Sequence, residues 1–299
     1  MPESGVYKIN HQEILSYEEI IQLVRAMAAE GVTKIRLTGG EPLVRKNIVG
    51  FVRDLAAVPG IDDLRLTTNG VLLGELAEPL HRAGIGRVNI SIDSLDRENF
   101  RQITGRDELP KVLEGILAAL AAGFERVKLN VVAIRGLNHH QVPALAGLIF
   151  EHDLDVRFIE FMPLGQTSFW SDDKFISTKE IKELIKPLGE LRTAPRSPAD
   201  GPAQVFTVDG AKGRLGFISP LTEHFCGTCN RLRLTADGKL RLCLLSDLEV
   251  DLKQALRSPA TQAELQEIIR AAAARKPAAH CLKKDIHSAN GRSMNLIGG

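Results

Sequence analysis

Between residues 16 and 162 the chain alternates stretches whose apolar residues recur at helical spacing with short runs rich in β-branched residues. The helical spacing falls near 16–30, 47–57, 73–84, 110–122 and 138–152, and the strand-like runs are 34–38, 64–68, 88–92, 127–132 and 156–161. Five strands in a βα rhythm require a parallel sheet covered by helices, either doubly wound or wrapped as a full or partial barrel. Periodicity does not choose between these. Four strands run directly into polar or glycine-bearing ends: Thr38-Gly39-Gly40-Glu41-Pro42, Thr68-Asn69-Gly70, Ser91-Ile92-Asp93-Ser94 and Glu160-Phe161-Met162-Pro163. The carboxyl ends of parallel strands are where α/β folds build their sites, so these tips are predicted to share one mouth.

After Pro163 the rhythm breaks. Gly165, Pro187, Pro195, Pro198, Gly201 and Pro202 punctuate a stretch that leads to short strand-like pieces at 205–208 and 215–218. A cysteine-bearing region follows, then helical patterns near 249–257 and 261–275, and a polar tail ending in Ile297-Gly298-Gly299. The division expected is therefore 1–163 and 164–299, with no repeat of 20 to 50 residues.

Composition narrows the partners. Thirty-eight basic residues against thirty-seven acidic ones leave a net charge of +1, which gives no broad field for a nucleic acid or an anionic membrane. Any anionic ligand must be held by a local cluster of charge. No apolar stretch approaches the roughly 20 residues of a membrane span, and Met1-Pro2-Glu3-Ser4-Gly5 does not read as a secretory signal. The expected location is the cytoplasm, whose reducing conditions suit four cysteines that are not arranged as a disulfide framework.

Three of those cysteines sit together. Cys226-Gly227-Thr228-Cys229 is a CxxC turn, and Cys243 follows fourteen positions later across an apparent hairpin of 231–235 and 239–242. Three thiolates suit an iron-sulfur cluster with one iron left open, structural zinc would need a fourth ligand such as His224, and plain packing is the third alternative. Arg231 and Arg233 alternate with Leu232 and Leu234, so both guanidinium groups should share one strand face. Forked donors there suit a polyphosphate or a purine edge, and a solvated strand face is the bland alternative.

Taken together, the motifs resemble the GTP 3',8-cyclases of molybdenum-cofactor biosynthesis, a family of radical S-adenosylmethionine (SAM) enzymes. The resemblance rests on Thr38-Gly39-Gly40-Glu41-Pro42-Leu43 with Arg45, Thr67-Thr68-Asn69-Gly70, Ser91-Ile92-Asp93-Ser94-Leu95-Asp96 and Asn138-His139-His140. It continues through Arg157-Phe158-Ile159-Glu160-Phe161-Met162, Gly201-Pro202-Ala203, Phe225-Cys226-Gly227-Thr228-Cys229-Asn230-Arg231-Leu232-Arg233 and the terminal Ile297-Gly298-Gly299. GGEP alone would indicate only a radical SAM fold; the cysteine-arginine segment and the double-glycine end narrow the match.

The resemblance implies an α/β fold, an incomplete (β/α) TIM-like barrel of the radical SAM type, lacking its first strand and carrying a C-terminal cluster-binding extension. It implies that Gly40, Ser91 and Met162 contact SAM, that Arg36, Thr67, Lys128, Arg231, Leu232 and Arg233 surround GTP, and that Cys226, Cys229 and Cys243 hold a second [4Fe-4S] cluster whose open iron anchors guanine. Arg36 and Lys128 lie on otherwise apolar strands, where an unpaired charge is costly, so a ligand is one explanation and an internal salt bridge, for instance to Glu41 or Glu160, its rival. Gly40 reads either as close backbone approach to a ligand or as a tight turn. His139 and His140 point in different directions at a helix start after Asn138 and do not read as metal ligands.

In the family a first cluster, held by CxxxCxxC, reduces SAM to a radical that takes the ribose 3' hydrogen and lets C3' attack C8. The product is (8S)-3',8-cyclo-7,8-dihydroguanosine 5'-triphosphate. An electron donor, a downstream cyclic pyranopterin monophosphate synthase and a homodimer are the partners implied. Here Met1-Pro2-Glu3-Ser4-Gly5 occupies the segment that follows the last of those cysteines, and CxxxCxxC is absent from the sequence. The expectation is a full-length cyclase whose present chain does not generate the radical; the other reading is a non-catalytic, GTP-binding homologue with one cluster. A missing strand would also expose a sheet edge and lower solubility. Cys281 reads as incidental, and the resemblance sends the Gly298-Gly299 tail, with Arg292, toward the site.

Overall fold

The computed structural model describes residues 11–163, 170–195, 201–258 and 260–279. In chain order, α1 (Tyr17–Ala29), β1 (Lys34–Leu37), α2 (Ile48–Ala56), β2 (Asp63–Thr68), α3 (Leu73–Arg82), β3 (Ile85–Ser91), α4 (Arg97–Thr104), α5 (Leu109–Ala121), β4 (Arg126–Ala133), α6 (Val142–Glu151) and β5 (Asp155–Glu160) form the βα succession. Then come α7 (Thr178–Ile185), β6 (Arg192–Thr193), β7 (Gln204–Thr207), β8 (Arg214–Ile218), β9 (Arg233–Leu234), β10 (Lys239–Arg241), β11 (Glu249–Asp251), α8 (Leu252–Arg257) and α9 (Gln262–Ala274).

The protein is α/β. Its main sheet has the order β1-β2-β3-β4-β5-β8-β7-β6, with every pairing from β1 through β8 parallel and the last two antiparallel. From β1 to β5 each strand lies beside its successor, which is the winding of a βα barrel; a doubly wound sheet reverses its order at a central strand. The order thus decides what periodicity left open. The sheet is open, with β1 and β6 at its edges, and the charged Lys34 and Arg36 on β1 discourage pairing with another chain there.

Alternation along the strands divides the sheet into two unlike faces. Ile35, Leu37, Leu64, Leu66, Val88, Ile90, Leu129, Val156, Phe158, Leu215 and Phe217 face the helices and belong to the large core with Phe51, Leu73, Ile116, Leu145 and Ile181. A second core joins the other side of α1 to the C-terminal segment: Leu23, Ala26 and Met27 pack with Leu240, Leu242, Leu252, Leu265, Ile269 and Ala272. Ion pairs of Arg257 with Glu19 and Arg270 with Glu30, and the bond from Leu15 N to Ala236 O at 2.8 Å, hold the same junction. The hairpin of β9 and β10, in its own small sheet with β11, is therefore seated on the first helix of the βα succession.

Two helices escaped the periodicity. α4 buries only Phe100, so it has almost no apolar stripe, and its caps define it: Asp96 accepts from Asn99 N and Gly105 closes it at φ 69°. α7 opens on a capping box of Ser177 with Glu180. Asn138 occupies the N-cap position of the short 3-10 turn His139–Gln141 that leads into α6, the helix-start setting expected of that segment, although its side chain accepts from Ile134 N, donates to Asp93 O and Val132 O, and makes no capping bond.

Candidate functional site

The face of the sheet opposite the large core carries rows of polar and charged side chains, since side chains paired in register on parallel strands project to the same side. One row runs Arg36, Arg65, Arg87, Arg126; the next runs Thr67, Asn89, Lys128, Asp155, Arg214; a third runs Ser91, Asn130, Arg157, Gly216. Arg36, Thr67, Lys128 and Ser91, four residues drawn from the sequence, thus share one surface, and Gly40 and Met162 follow the tips of β1 and β5. Arg65, Asn130 and Arg157 belong to the same surface and were not singled out.

Two carboxylates organise much of this face. Asp63 accepts from Arg65 through both oxygens and from Arg87 at 2.6 Å, and Asp155 takes Arg214 at 2.9 Å on each oxygen with Arg157 at 3.8 Å. Desolvation pushes the Asp63 carboxyl up, but the two guanidinium groups hold it below the usual carboxylate range. Gly216 makes room for Arg157, since a Cβ there would stand 3.0 Å from Arg157 Cγ.

The same face holds further cations and buried polar atoms without a partner. Arg36 is exposed to solvent on this face, and desolvation with the charges of Arg65, Arg157 and Arg231 lowers it to about 10 against the pull of Asp63. The effect of Arg231 on Arg36 brings the cysteine-arginine segment and β1 into one site. Thr67 Oγ1 is buried without a hydrogen-bond partner, and so is Asn130 Oδ1. Lys128 is 2% exposed, with Asp155 as its register neighbour. The rival carboxylates are engaged elsewhere: Glu41 accepts from Leu43 N, Thr68 Oγ1 and Asn69 N, and Glu160 from Thr178 N, Leu221 N, Thr222 N and Thr222 Oγ1.

Gly39 and Gly40 differ. Gly39 has φ 143° and suits glycine on conformational grounds. Gly40 has no such φ, and a Cβ there would meet no protein atom within 4 Å. The tight-turn explanation accounts for Gly39 and leaves Gly40 with open space in front of it. Nearby, Asp93 follows the tip of β3; desolvation raises it to about 6 although its Oδ1 accepts from Val132 N at 2.8 Å.

Cys226 and Cys229 flank one 3-10 turn, closed by Cys229 N donating to Cys226 O at 3.0 Å, and Cys243 follows the end of β10. All three are free and half-buried. Burial works to raise the Cys229 thiol, but the Arg231 backbone N–H, its guanidinium and Lys276 outweigh it and leave the thiol below its ordinary value. Leu245 N donates to Cys243 Sγ at 3.4 Å. Among the described residues no three His, Cys, Asp or Glu side chains converge as the ligands of a single ion. His224 Nδ1 lies 2.8 Å from Pro220 O.

Leu232 and Leu234 pack into the core around α1, so the alternation turns Arg231 and Arg233 the other way. Leu232 has only its backbone to offer a ligand. Arg231 lies 5.1 Å over the Phe225 ring, and Arg233 is lowered to about 10 by desolvation and by Arg231, with the Cys229 and Cys243 thiols opposing. Cys281, Arg292, the Gly298-Gly299 end and Met1 to Gly5 lie outside the described residues. No helix among the described residues is long and apolar enough to cross a membrane.

Comparison with known proteins accords with this arrangement. The family model described as Radical SAM superfamily matches residues 3–149, and that described as Molybdenum Cofactor Synthesis C matches residues 154–282. The chain is 46% identical over 299 residues to the GTP 3',8-cyclase of Alkaliphilus metalliredigens (strain QYMF), covering all of this chain and 92% of the relative. It is 48% identical over 303 residues to the GTP 3',8-cyclase of Moorella thermoacetica (strain ATCC 39073 / JCM 9320), with the same coverage. Among solved structures, SuiB of Streptococcus suis bound to precursor peptide SuiA superposes with TM-score 0.50 at 16% identity, covering 58% of this chain and 39% of that one, a likeness of fold alone. With full-length relatives at this level of identity, the chain belongs to the GTP 3',8-cyclase family of radical SAM enzymes.

Proposed function

We propose that the chain carries the GTP- and SAM-binding machinery of a GTP 3',8-cyclase in molybdopterin cofactor biosynthesis. The observation that carries this reading is the concave face: cations from β1, β2, β4 and β5 share it with Arg231, in a protein whose net charge is only +1. Such a concentration of guanidinium groups has a clear physical use in holding a polyphosphate. Arg36, Lys128, Arg231 and Arg233 neutralise the triphosphate, Thr67 Oγ1 gains the partner it lacks, and the Leu232 backbone borders the base. SAM lies against Gly40, where no protein atom competes for space, and extends toward Ser91 and Met162.

Cys226, Cys229 and Cys243 would hold a [4Fe-4S] cluster and present the purine to its open iron. The donor set supports this. A tetrahedral zinc thiolate needs its sulfurs about 3.8 Å apart, from Zn–S bonds of about 2.3 Å. A cubane takes each thiolate on a different iron and leaves one iron open, which suits a donor set of three cysteines. SAM with a reduced first cluster supplies the radical chemistry when both are bound; the residues described here bind, orient and shield the nucleotide.

The 299 residues contain no CxxxCxxC, so this polypeptide assayed alone is proposed to bind GTP and one cluster without turnover. Turnover would also draw on an electron donor and pass its product to a cyclic pyranopterin monophosphate synthase. The division at 163 into barrel core and remainder is supported by the small separate sheet of β9, β10 and β11, which lies wholly in the later part. Arg36→Ala and Arg233→Ala should each weaken GTP by about 10- to 100-fold, the equivalent of one or two charge-assisted hydrogen bonds. Guanosine binding should be nearly unaffected by Arg36→Ala. Equal affinity of the wild type for GTP and guanosine would sink the proposal.

A further inference from the structure

The cysteines lie on two strands that are barely paired. The β9–β10 ladder contains only Arg233↔Arg241 and Leu234↔Leu240, and on the cysteine side of Arg233 and Arg241 the pairing stops. The two arms that continue from it carry Cys229 on one side and Cys243 on the other. A side chain from a third element joins them: Lys276 Nζ donates to Arg231 O at 2.9 Å and to Leu242 O at 2.6 Å. Leu242 is the residue before Cys243, and Arg231 is two residues after Cys229. The ammonium thus supplies a cross-link just where the ladder ends.

The cross-link has a fixed origin. Lys276 stands two residues beyond α9, with its N–H on Ala273 O at 3.1 Å, and α9 is anchored on α1 by Leu265, Ile269 and Ala272 and by the pair of Arg270 with Glu30. Its stem is half-buried, so the ammonium is aimed and not free to sweep solvent. An ammonium has three donors; two are spent on these carbonyls. On the reading of the three cysteines as cluster ligands, we infer that Lys276 is a positioning residue that sets the separation of the Cys229 and Cys243 arms, and so tunes how firmly the cluster is held. It touches backbone on both arms and needs no contact with the cluster itself.

The test uses the full chain, reconstituted anaerobically with iron and sulfide, as wild type, Lys276→Met and Lys276→Arg. Iron and sulfide per chain, the rate of iron release to a chelator, and the melting temperature of each apoprotein are measured. Lys276→Met should hold iron about 10- to 100-fold less tightly, the usual cost of losing a group that orients metal ligands, with the apoprotein melting as the wild type does. Lys276→Arg, whose guanidinium can reach both carbonyls, should restore most of the retention. Wild-type retention in Lys276→Met, equal loss in both variants, or a loss matched by a lower apoprotein melting temperature would each overturn the inference. Absence of iron from the wild type would instead sink the cluster reading on which it rests.

Discussion

Gly40 separates a folding requirement from a binding requirement. Its backbone does not demand glycine and its Cβ position is empty, so Gly40→Ala should leave the melting temperature unchanged. SAM affinity should fall by about 5- to 150-fold, since one misplaced methyl in a close-packed site costs about 1–3 kcal/mol. Equilibrium dialysis of both proteins checks it, and equal affinities would return Gly40 to a role in the turn. Asp93 gives a second test. Burial favours its neutral form, so folding takes up a proton between about pH 4 and about 6, and stability falls as pH rises through that window. Asp93→Asn keeps an acceptor for Val132 N and removes the charge; it should match the wild type near pH 4 and exceed it by about 1–2 kcal/mol at pH 7 in urea unfolding. A constant difference across that range would contradict the assignment.

The same scale shows what the sequence could reveal. Arg36 and Lys128 stood out because each interrupts an apolar strand, and their shared surface follows from alternation once the register is known. Arg65 and Arg157 sit on strands of the same kind and carried the same signal, but no spacing in the chain says that Arg36 faces Arg65 or that Asp155 stands beside Lys128. Register is a property of pairing between distant segments. The engagement of Glu41 with Thr68 and Asn69 is likewise invisible until β1 and β2 are side by side.

At the scale of elements, strands with strong alternation and helices with a wide apolar stripe were legible, and short or polar helices were not. α4 and α7 are specified by their caps more than by their stripes. The cysteine hairpin was legible as a unit, but its seat on α1 depends on contacts between residues more than two hundred positions apart, such as Arg257 with Glu19. Close packing of α5 against the loop after β2 has a direct consequence. A Cβ on Gly115 would lie 2.2 Å from Gly70 O and 3.0 Å from Leu73 Cβ. Backbone cannot yield as a flexible side-chain end can, so Gly115→Ala should destabilise the protein by about 1–3 kcal/mol, measured by urea unfolding. Because Gly70 follows Thr67 and Thr68, nucleotide binding should weaken with it; unchanged stability would show that α5 can move away from the loop.

Across the whole molecule, near-neutral charge hides a strongly divided surface. The helices cover the apolar face of the sheet, while the opposite face collects guanidinium and ammonium groups around two organising carboxylates. The C-terminal segment, docked on α1 through a core of its own, adds Arg231 to that face and sets the three thiols beside it. The candidate site thus draws on the βα succession and on the C-terminal segment, and its composition could not be summed from either part. The measurement that tests this most directly is iron and sulfide per chain after anaerobic reconstitution, read beside GTP affinity for the wild type and Cys229→Ala. The account predicts about four irons in the wild type, as the proposed cubane requires, and loss of both iron and most GTP affinity in the variant. Zinc, no metal, or undiminished GTP binding by Cys229→Ala would contradict it.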